Sequence, residues 1–552
     1  MDTCISPVPE SPWLDASTSS PAVVRDQAVK VETLPLDSAF AVALLVCGFL
    51  FFNLIMFADM PAAGTTVFAL TLIIVTLIYL TKSGYRQHLK SLIALGVTVM
   101  ASLHFLLFDN AFIFFLTFVF AAMLFVYWVM ITTGRSIDRS LSVTFVGDVV
   151  QQGFIVPFRN FGTGVVVLSR YFRDRSYSGV LLAFLGVLLF LPLLAAVISL
   201  LMSADLAFET FLTGVFSSLQ LADVMPYVWQ FILGIPVALY LFGLIFGDSQ
   251  ARHTHTITSA SLGRGALIAR VAPRVMIYSA LLAFCFIYAL FFIVQGAYLF
   301  SGFAEKLPEA FTYAEYARRG FFELCAVTGI NLVVLTITHL LMRRPLGVEP
   351  RELRIITAAL AGFTLLLITA ALSKMLMYIN TYGLTLLRVY TSWFMILLFV
   401  VFLTLFIRQL SRFNAARIII VSFVVLFTLL SFSNVDGLVA AYNVSVYESA
   451  LRTGDLERID IEALAGLSDG ALAEMYSWYQ RLSEQDAVEA LLRRRLERAM
   501  LSRLTWDIDA DLRARSDITD FRSFSLQRRE AARIRRELLA AGVMRPEPSA
   551  ID

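Results

Sequence analysis

The 552-residue sequence is poor in charge, poor in cysteine and free of recognisable catalytic motifs. Only 16% of its residues are charged, whereas 58% are hydrophobic, and the mean hydropathy is +0.76. Soluble domains of ordinary size cannot bury that much apolar surface, because too many of their side chains must face water. Lipid must therefore be the solvent for much of the chain.

The charges that are present favour neither sign. The chain has 44 basic and 42 acidic residues, whereas a nucleic-acid-binding domain is usually strongly basic. The four cysteines are Cys4 in the N-terminal tail and Cys47, Cys285 and Cys325 in apolar segments, so neither a disulfide framework nor a CxxC metal site is available. The sequence predicts no nucleic-acid partner, no metal and no cofactor.

Two further absences concern targeting and catalysis. Residues 1–37 are rich in Ser, Pro and Asp and lack a basic stretch followed by an apolar core, so we interpret them as a disordered cytoplasmic tail and not as a signal peptide. The chain contains no HExxH, GxSxG or P-loop motif. This disfavours an enzyme without excluding one, since Asp205, Glu315 or Asp436 could act as acid or base on a lipid-linked substrate.

Long apolar runs fill most of the chain between residues 38 and 433. A helix that crosses a membrane needs about 20 apolar residues. Eleven windows reach or approach this length: 39–58, 64–80, 92–107, 111–131, 180–202, 226–246, 275–300, 321–341, 355–373, 389–407 and 415–432. The windows 92–107 and 415–432 are short. The sequence predicts an all-α polytopic membrane protein of about eleven transmembrane helices, with an inner loop at 132–179.

The distribution of Lys and Arg predicts the orientation. With the N-terminus placed in the cytoplasm, the inner segments hold 22 of these residues and the outer loops hold five. Cytoplasmic loops are enriched in Lys and Arg, so the alternation supports all eleven windows. The residues after 433 are then extracytoplasmic. Their helical spacing of charged and apolar residues predicts a small helical extramembrane domain at 434–552.

Polar clusters interrupt the apolar sequence on the predicted outer face, and we expected nothing comparable on the inner face. Lys374, Tyr378 and Tyr382 are spaced by four and so share one helix face. Thr312 and Glu315 have the spacing of a capping box that could start the eighth span. The candidate ligand-binding residues are Asp205, Glu315, Arg318, Arg319, Glu323, Lys374, Tyr378, Tyr382, Arg388, Asp436 and Asn443.

Two interpretations of these outer residues stay open. Ionisable side chains at membrane depth are functional candidates, and Arg318 with Arg319 could bind an anion or a lipid headgroup. Alternatively, Glu315, Arg319 and Glu323 neutralise one another as i, i+4 pairs, and tyrosine and lysine act as interfacial anchors. On the inner side, VTFVGDVVQQGF at 143–154 could lie along the membrane surface as an amphipathic helix, or the loop could serve only as a basic anchor.

Four phrases of the outer face resemble a known family. SADLAF, TYAEYARRGFFEL, YGLTLLRVYTSWFM and NVDGLVAAYNV are similar to the signature segments of a bacterial polytopic membrane family, domain of unknown function 4173, which is related to group 4153. The resemblance covers the chain from about the fifth window to the C-terminal helices. It implies a bacterial cytoplasmic membrane location and no specific chemistry.

Three functions are compatible with the sequence. The first is binding or transport of an envelope solute or lipid through a site on the extracytoplasmic face. The second is a membrane sensor or scaffold in which residues 451–552 dock a protein partner. The third and weakest is an enzyme acting on a lipid-linked substrate. The lipid bilayer is a partner under all three.

Overall fold

The structure is a computed structural model. It describes residues 34–58, 61–138, 141–142, 144–173, 186, 190, 193–194, 196–218, 221–254, 257–299, 313–343, 350–455, 459–514 and 521–543. Only the backbone is described for residues 172–173, 213–218, 221–223, 259–260, 262, 266–267, 295–299, 313–320 and 503–514. Residues 1–33, which make up most of the predicted tail, lie outside this description.

The described chain is α-helical, and its only β pairing is an isolated bridge between Ala272 and Met342. The α-helices are α1 Pro35–Phe51, α2 Ala63–Lys82, α3 Leu89–Leu107, α4 Ala111–Thr133, α5 Phe145–Val150, α6 Val156–Arg173, α7 Leu206–Ser218, α8 Leu221–Ser249, α9 Ser259–Ala269, α10 Arg274–Leu299, α11 Tyr313–Leu341, α12 Arg351–Tyr382, α13 Leu386–Leu410, α14 Ala415–Ser431, α15 Val435–Thr453, α16 Glu462–Ala465, α17 Leu472–Arg481, α18 Ala487–Ala514 and α19 Leu526–Ala540. Two π-helical turns, Phe52–Met56 and Gln151–Ile155, extend α1 and join α5 to α6.

Nine helices within the described ranges are long and apolar enough to cross a membrane: α1 with its π turn, α2, α3, α4, α8, α10, α11, α12 and α13. They confirm the all-α polytopic fold and nine of the predicted windows, including the short one at 92–107. The window 180–202 lies largely outside the described residues. The window 415–432 corresponds to α14, which has 17 residues and bends by 62° into α15, so this pair would make a tenth crossing only as a broken helix.

The membrane helices pack around two apolar cores. One core joins α1–α4 with α6 and α8, around Leu44, Trp128 and Ile245. The other joins α10–α13, around Leu360, Ile368 and Phe402. Helices α1 and α8 run antiparallel, since Asn53 near the end of α1 donates to Gln230 Oε1 near the start of α8 (2.9 Å).

The described residues between 435 and 543 form a helical unit with its own core, and we call this the C-terminal unit. Trp478, Leu496, Met500 and Ile534 are fully buried there, and the core continues into the ends of the membrane helices through Ile113. The unit covers the connections α1–α2, α3–α4, α12–α13 and α14–α15. We call this end of the bundle the cap face, and the opposite end, with connections α2–α3, α4–α5, α8–α9 and α13–α14, the far face.

Candidate functional site

A cleft opens near the cap face between α11, α12 and α13. Its volume is about 300 Å³, large enough to hold part of a small amphipathic molecule. Among the described residues, its lining is mostly apolar and includes the cation Arg388; these lining residues are Phe321, Phe322, Met375, Tyr378, Thr385, Leu387, Arg388 and Thr391. The cleft therefore combines a hydrophobic surface with a localised positive charge.

The orientation of Arg388 is set by its neighbours. Its guanidinium carbon lies 4.1 Å from the ring centroid of Tyr378, within the range of a cation–π interaction. Its Nη1 donates to the carbonyl oxygens of Tyr382 (3.0 Å) and Gly383. The Tyr378 and Tyr382 rings contact each other edge to face, with centroids 5.2 Å apart. Three predicted site residues therefore meet in one place.

Local sequence explains how the backbone brings them together. Gly383 ends α12 with a φ of +76°, a conformation that glycine adopts far more readily than residues with a Cβ. Thr385 then caps α13, because its Oγ1 accepts a hydrogen bond from the Arg388 N–H (3.4 Å). This tight turn returns the chain to the membrane and directs Arg388 toward the end of α12.

The remaining predicted residues of α11 and α12 are only partly visible. Glu323 is exposed, Lys374 is half-buried, and the Glu323 carboxylate interacts electrostatically with the Lys374 ammonium. The predicted helix through TYAEYARRGFFEL is confirmed from Tyr313 onward, while Thr312 lies outside the described residues. The side chains of Glu315, Arg318 and Arg319 also lie outside the description, so their part in a site stays a prediction.

Asp205 has a structural role in the chain around it. Its Oδ1 accepts hydrogen bonds from the backbone N–H groups of Ala207 (2.7 Å) and Phe208 (3.1 Å), which is how a helix N-cap works. It therefore begins α7. No described contact connects it with the cleft.

Asp436 and Asn443 hold the C-terminal unit on the bundle, and both are 1% exposed. The Asn443 amide makes two hydrogen bonds to Leu384, accepting from its N–H (2.7 Å) and donating to its C=O (2.8 Å). The Asp436 carboxylate accepts from Asn110 Nδ2 (2.6 Å) and from Ser468 N–H (2.8 Å). Both carboxylate oxygens and both amide atoms are thus engaged within the protein.

We call the contacts of Asp436, Asn443, Gln527 and Arg522 with the membrane-helix end of the bundle the seam. The sequence gave no indication of the hydrogen bonds made by Gln527 and Arg522. Gln527 donates to Asn434 Oδ1 (2.7 Å) and accepts from the Asp109 N–H (2.9 Å). Arg522 Nη1 donates to the carbonyl of Asn53 (2.8 Å), which lies in the π turn that ends the first span. The partners are between 93 and 469 residues apart along the chain, so no local spacing could have revealed them.

A buried polar cluster lies at the far face of the bundle. Tyr79 donates to Asp37 Oδ1 (2.8 Å) and lies 3.2 Å from Ser249 Oγ. Arg135 Nε donates to the carbonyl of Asp248 (2.9 Å), whose side chain is fully buried. These residues come from α1, α2, α8 and the connection between α4 and α5, and only tertiary packing brings them together.

Asp148 of α5 binds the connection between α4 and α5 at the same face. Its Oδ1 accepts from the Ile137 N–H at 2.7 Å. Within the part of the chain that the structure describes, no three His, Cys, Asp or Glu side chains come together as metal ligands would.

No curated protein and no solved structure matches the chain. One family model, described as a domain of unknown function (DUF4153), matches residues 91–477, well over half of the chain, from α3 through the cleft to α17. The finer assignment to group 4173 stays a prediction. The chain belongs to the family described as Domain of unknown function (DUF4153).

Proposed function

We propose that this membrane protein binds or moves a lipid or solute of the cell envelope through the cleft between α11, α12 and α13. We assign the cap face to the extracytoplasmic side of a bacterial cytoplasmic membrane. The observation that carries the proposal is Arg388, which is stacked on Tyr378 in a cleft whose walls are otherwise mostly apolar.

The physical argument rests on pre-organisation. A guanidinium presents a planar set of donors that suits phosphate and carboxylate groups, and such charge-assisted hydrogen bonds are the stronger kind. Tyr378 and the two carbonyl acceptors hold Arg388 before a ligand arrives, so less side-chain entropy is lost on binding. The aromatic and aliphatic walls would contact an apolar tail and gain from its burial.

The test is the replacement of Arg388. We expect Arg388→Ala, purified in native-lipid nanodiscs, to lose bound anionic ligand by about tenfold or more in native mass spectrometry, because a charge-assisted hydrogen bond contributes about 1.5–3 kcal/mol. Arg388→Lys should retain an amount of bound ligand between those of the wild type and Arg388→Ala, since lysine keeps the charge and lacks the planar donor set. Arg412→Ala, an exposed arginine at the far face, is the matched control. Equal ligand occupancy in Arg388→Ala and Arg412→Ala would overturn the proposal.

A second function, a sensor or scaffold, draws support from the position of the seam. Asn443 of the C-terminal unit binds Leu384, the residue next to Gly383, whose carbonyl accepts from Arg388. A partner that displaced the C-terminal unit would therefore disturb the arginine of the cleft. Crosslinking in cells followed by purification tests this; recovery of the protein alone would count against it.

The enzyme hypothesis gains no comparable support. Asp205 caps a helix, and Asp436 is buried with both oxygens occupied. A general acid or base needs access to substrate.

A further inference from the structure

The helical stretch 145–173 has its polarity reversed relative to a helix on a water-exposed surface. It consists of α5, the π turn Gln151–Ile155 and α6 without a break. Gln151, Gln152 and Asn160 are all 0% exposed, whereas Val146, Phe154 and Phe158 are 70%, 61% and 62% exposed. The polar side chains thus face the protein, and large apolar side chains face away from it.

The inward polar side chains have partners at the far face. Gln151 donates to the Thr254 carbonyl and accepts from the Ile257 N–H (2.5 Å). Asn160 donates to the carbonyls of Val156 (2.9 Å) and Arg252 (3.3 Å). These bonds fix which side of the helix faces the bundle, because rotation of the helix would leave buried amides unpaired.

The helix packs closely against α8, one of the candidate membrane spans. A Cβ added to Gly243 would lie 2.4 Å from the Pro157 carbonyl oxygen, so the two backbones touch. Further along, Gly164 faces Leu239 and Phe242, which lie about two to three turns before the end of α8. Helix 145–173 therefore starts at the far face and continues beside the apolar part of α8.

We propose that helix 145–173 lies in the lipid bilayer near the far face, with Val146, Phe154, Phe158 and Val165 in contact with acyl chains. It is not among the nine candidate spans, and the sequence predicted it as part of an inner loop. On α8, Leu233 is likewise exposed, to 41%. Arg159 is the one charged side chain described as exposed on this stretch, and it can reach the headgroups along its aliphatic stem.

Water is the wrong solvent for this surface. Exposing a Phe or Val side chain to water forgoes the favourable free energy that its burial would contribute. In contact with lipid acyl chains, the same apolar side chains carry no such free-energy penalty. The polar side of the helix faces the protein and lines the buried cluster around Asp248. The inference does not depend on the ligand cleft, which lies at the other end of the molecule.

Spin labelling with collision reagents tests the proposal on the full-length protein. In a background lacking Cys4, Cys47, Cys285 and Cys325, single labels go at Phe154→Cys and Phe158→Cys in liposomes of phosphatidylethanolamine and phosphatidylglycerol. Ile74→Cys in α2, 55% exposed, is the lipid-facing control. Gln485→Cys, exposed in the C-terminal unit, is the aqueous control.

We expect both test positions to match Ile74, with high accessibility to oxygen and low accessibility to a water-soluble nickel complex. Accessibility like that of Gln485 would overturn the proposal in favour of an aqueous surface. Low accessibility to both reagents would overturn it in favour of a protein contact. Spin–spin broadening that disappears on dilution with unlabelled protein would identify that contact as a second copy of the chain. Elution as a single symmetric peak confirms that each variant folds.

Discussion

At the scale of the residue, burial separates the polar side chains that hold the molecule together from those that remain open to a ligand. Arg388 and Tyr378 line a cleft and are partly exposed. Asn443, predicted from the same kind of outer cluster, is buried and bonded on both sides of its amide. Polar residues near the same face thus have different roles: Arg388 is open to a ligand, whereas Asn443 joins two parts of the protein.

We predict that Asn443→Ala destabilises the protein by about 2–3 kcal/mol. The substitution leaves the N–H and C=O of Leu384 without their partners in a partly buried place, and each unmade bond costs about 1–3 kcal/mol. The measurement is thermal unfolding of the detergent-solubilised protein. Ser445→Ala on the same helix is the control, because Ser445 is exposed and its hydroxyl donates to the Tyr442 carbonyl of its own helix. Equal unfolding temperatures for the two variants would contradict the assigned role of Asn443.

At the scale of the element, close helix packing depends on glycines at the crossing points. A Cβ on Gly48 of α1 would lie 2.2 Å from the carbonyl oxygen of Gly234 on α8, and one on Gly234 would lie 2.6 Å from the Gly48 carbonyl carbon. Small residues let backbones approach in membrane proteins, where the hydrophobic effect gives helices little reason to associate. The antiparallel pair α1 and α8 is therefore held by van der Waals contact.

We predict opposite signs for the same substitution at two helical glycines. Gly48→Ala should destabilise by about 1–3 kcal/mol or more, because the added methyl group clashes with backbone that cannot move aside. Gly96→Ala in α3 should be neutral or stabilise by up to about 1 kcal/mol, since a Cβ there meets open space and alanine favours a helix. Thermal unfolding of both variants measures the difference. Similar losses at both positions would show that the α1–α8 crossing is not tightly packed.

At the scale of the whole molecule, the C-terminal unit marks one end of the bundle and the polar cluster around Asp248 marks the other. Arg522 makes a hydrogen bond to the end of the first span. Asp436 makes one to the start of α4, and Asn443 makes one to the start of α13. All three contacts lie at the cap face. The Lys and Arg distribution predicts that this face is extracytoplasmic.

We predict that a membrane-impermeant maleimide labels Gln485→Cys in intact cells and labels Arg412→Cys only after permeabilisation. Both positions are exposed and lie at opposite ends of the bundle, so accessibility reports sidedness and not burial. The native cysteines must first be replaced. Labelling with the reverse pattern would invert the proposed orientation, and the cleft would then open toward the cytoplasm.

Much of the architecture could be predicted from local sequence, and part of the cleft could as well. Tyr378, Tyr382 and Arg388 lie within eleven residues, and their spacing around Gly383 was enough to group them. The far-face cluster could not be found in this way, since Asp37, Tyr79, Arg135 and Ser249 are dispersed over more than two hundred residues. An amphipathic pattern at 143–154 was recognised, but periodicity reveals two faces without saying which one faces the protein.

The sequence by itself determined that this chain is a helical membrane protein and where nine of its membrane helices lie. It could do so because a bilayer selects apolar segments of sufficient length, and that property is local. Only the tertiary structure decided that Asp436 and Asn443 bind the C-terminal unit to the bundle, that Arg388 stacks on Tyr378, and that Gln151, Gln152 and Asn160 face inward. These outcomes depend on which distant groups meet, because a polar side chain takes its role from the partner that satisfies it.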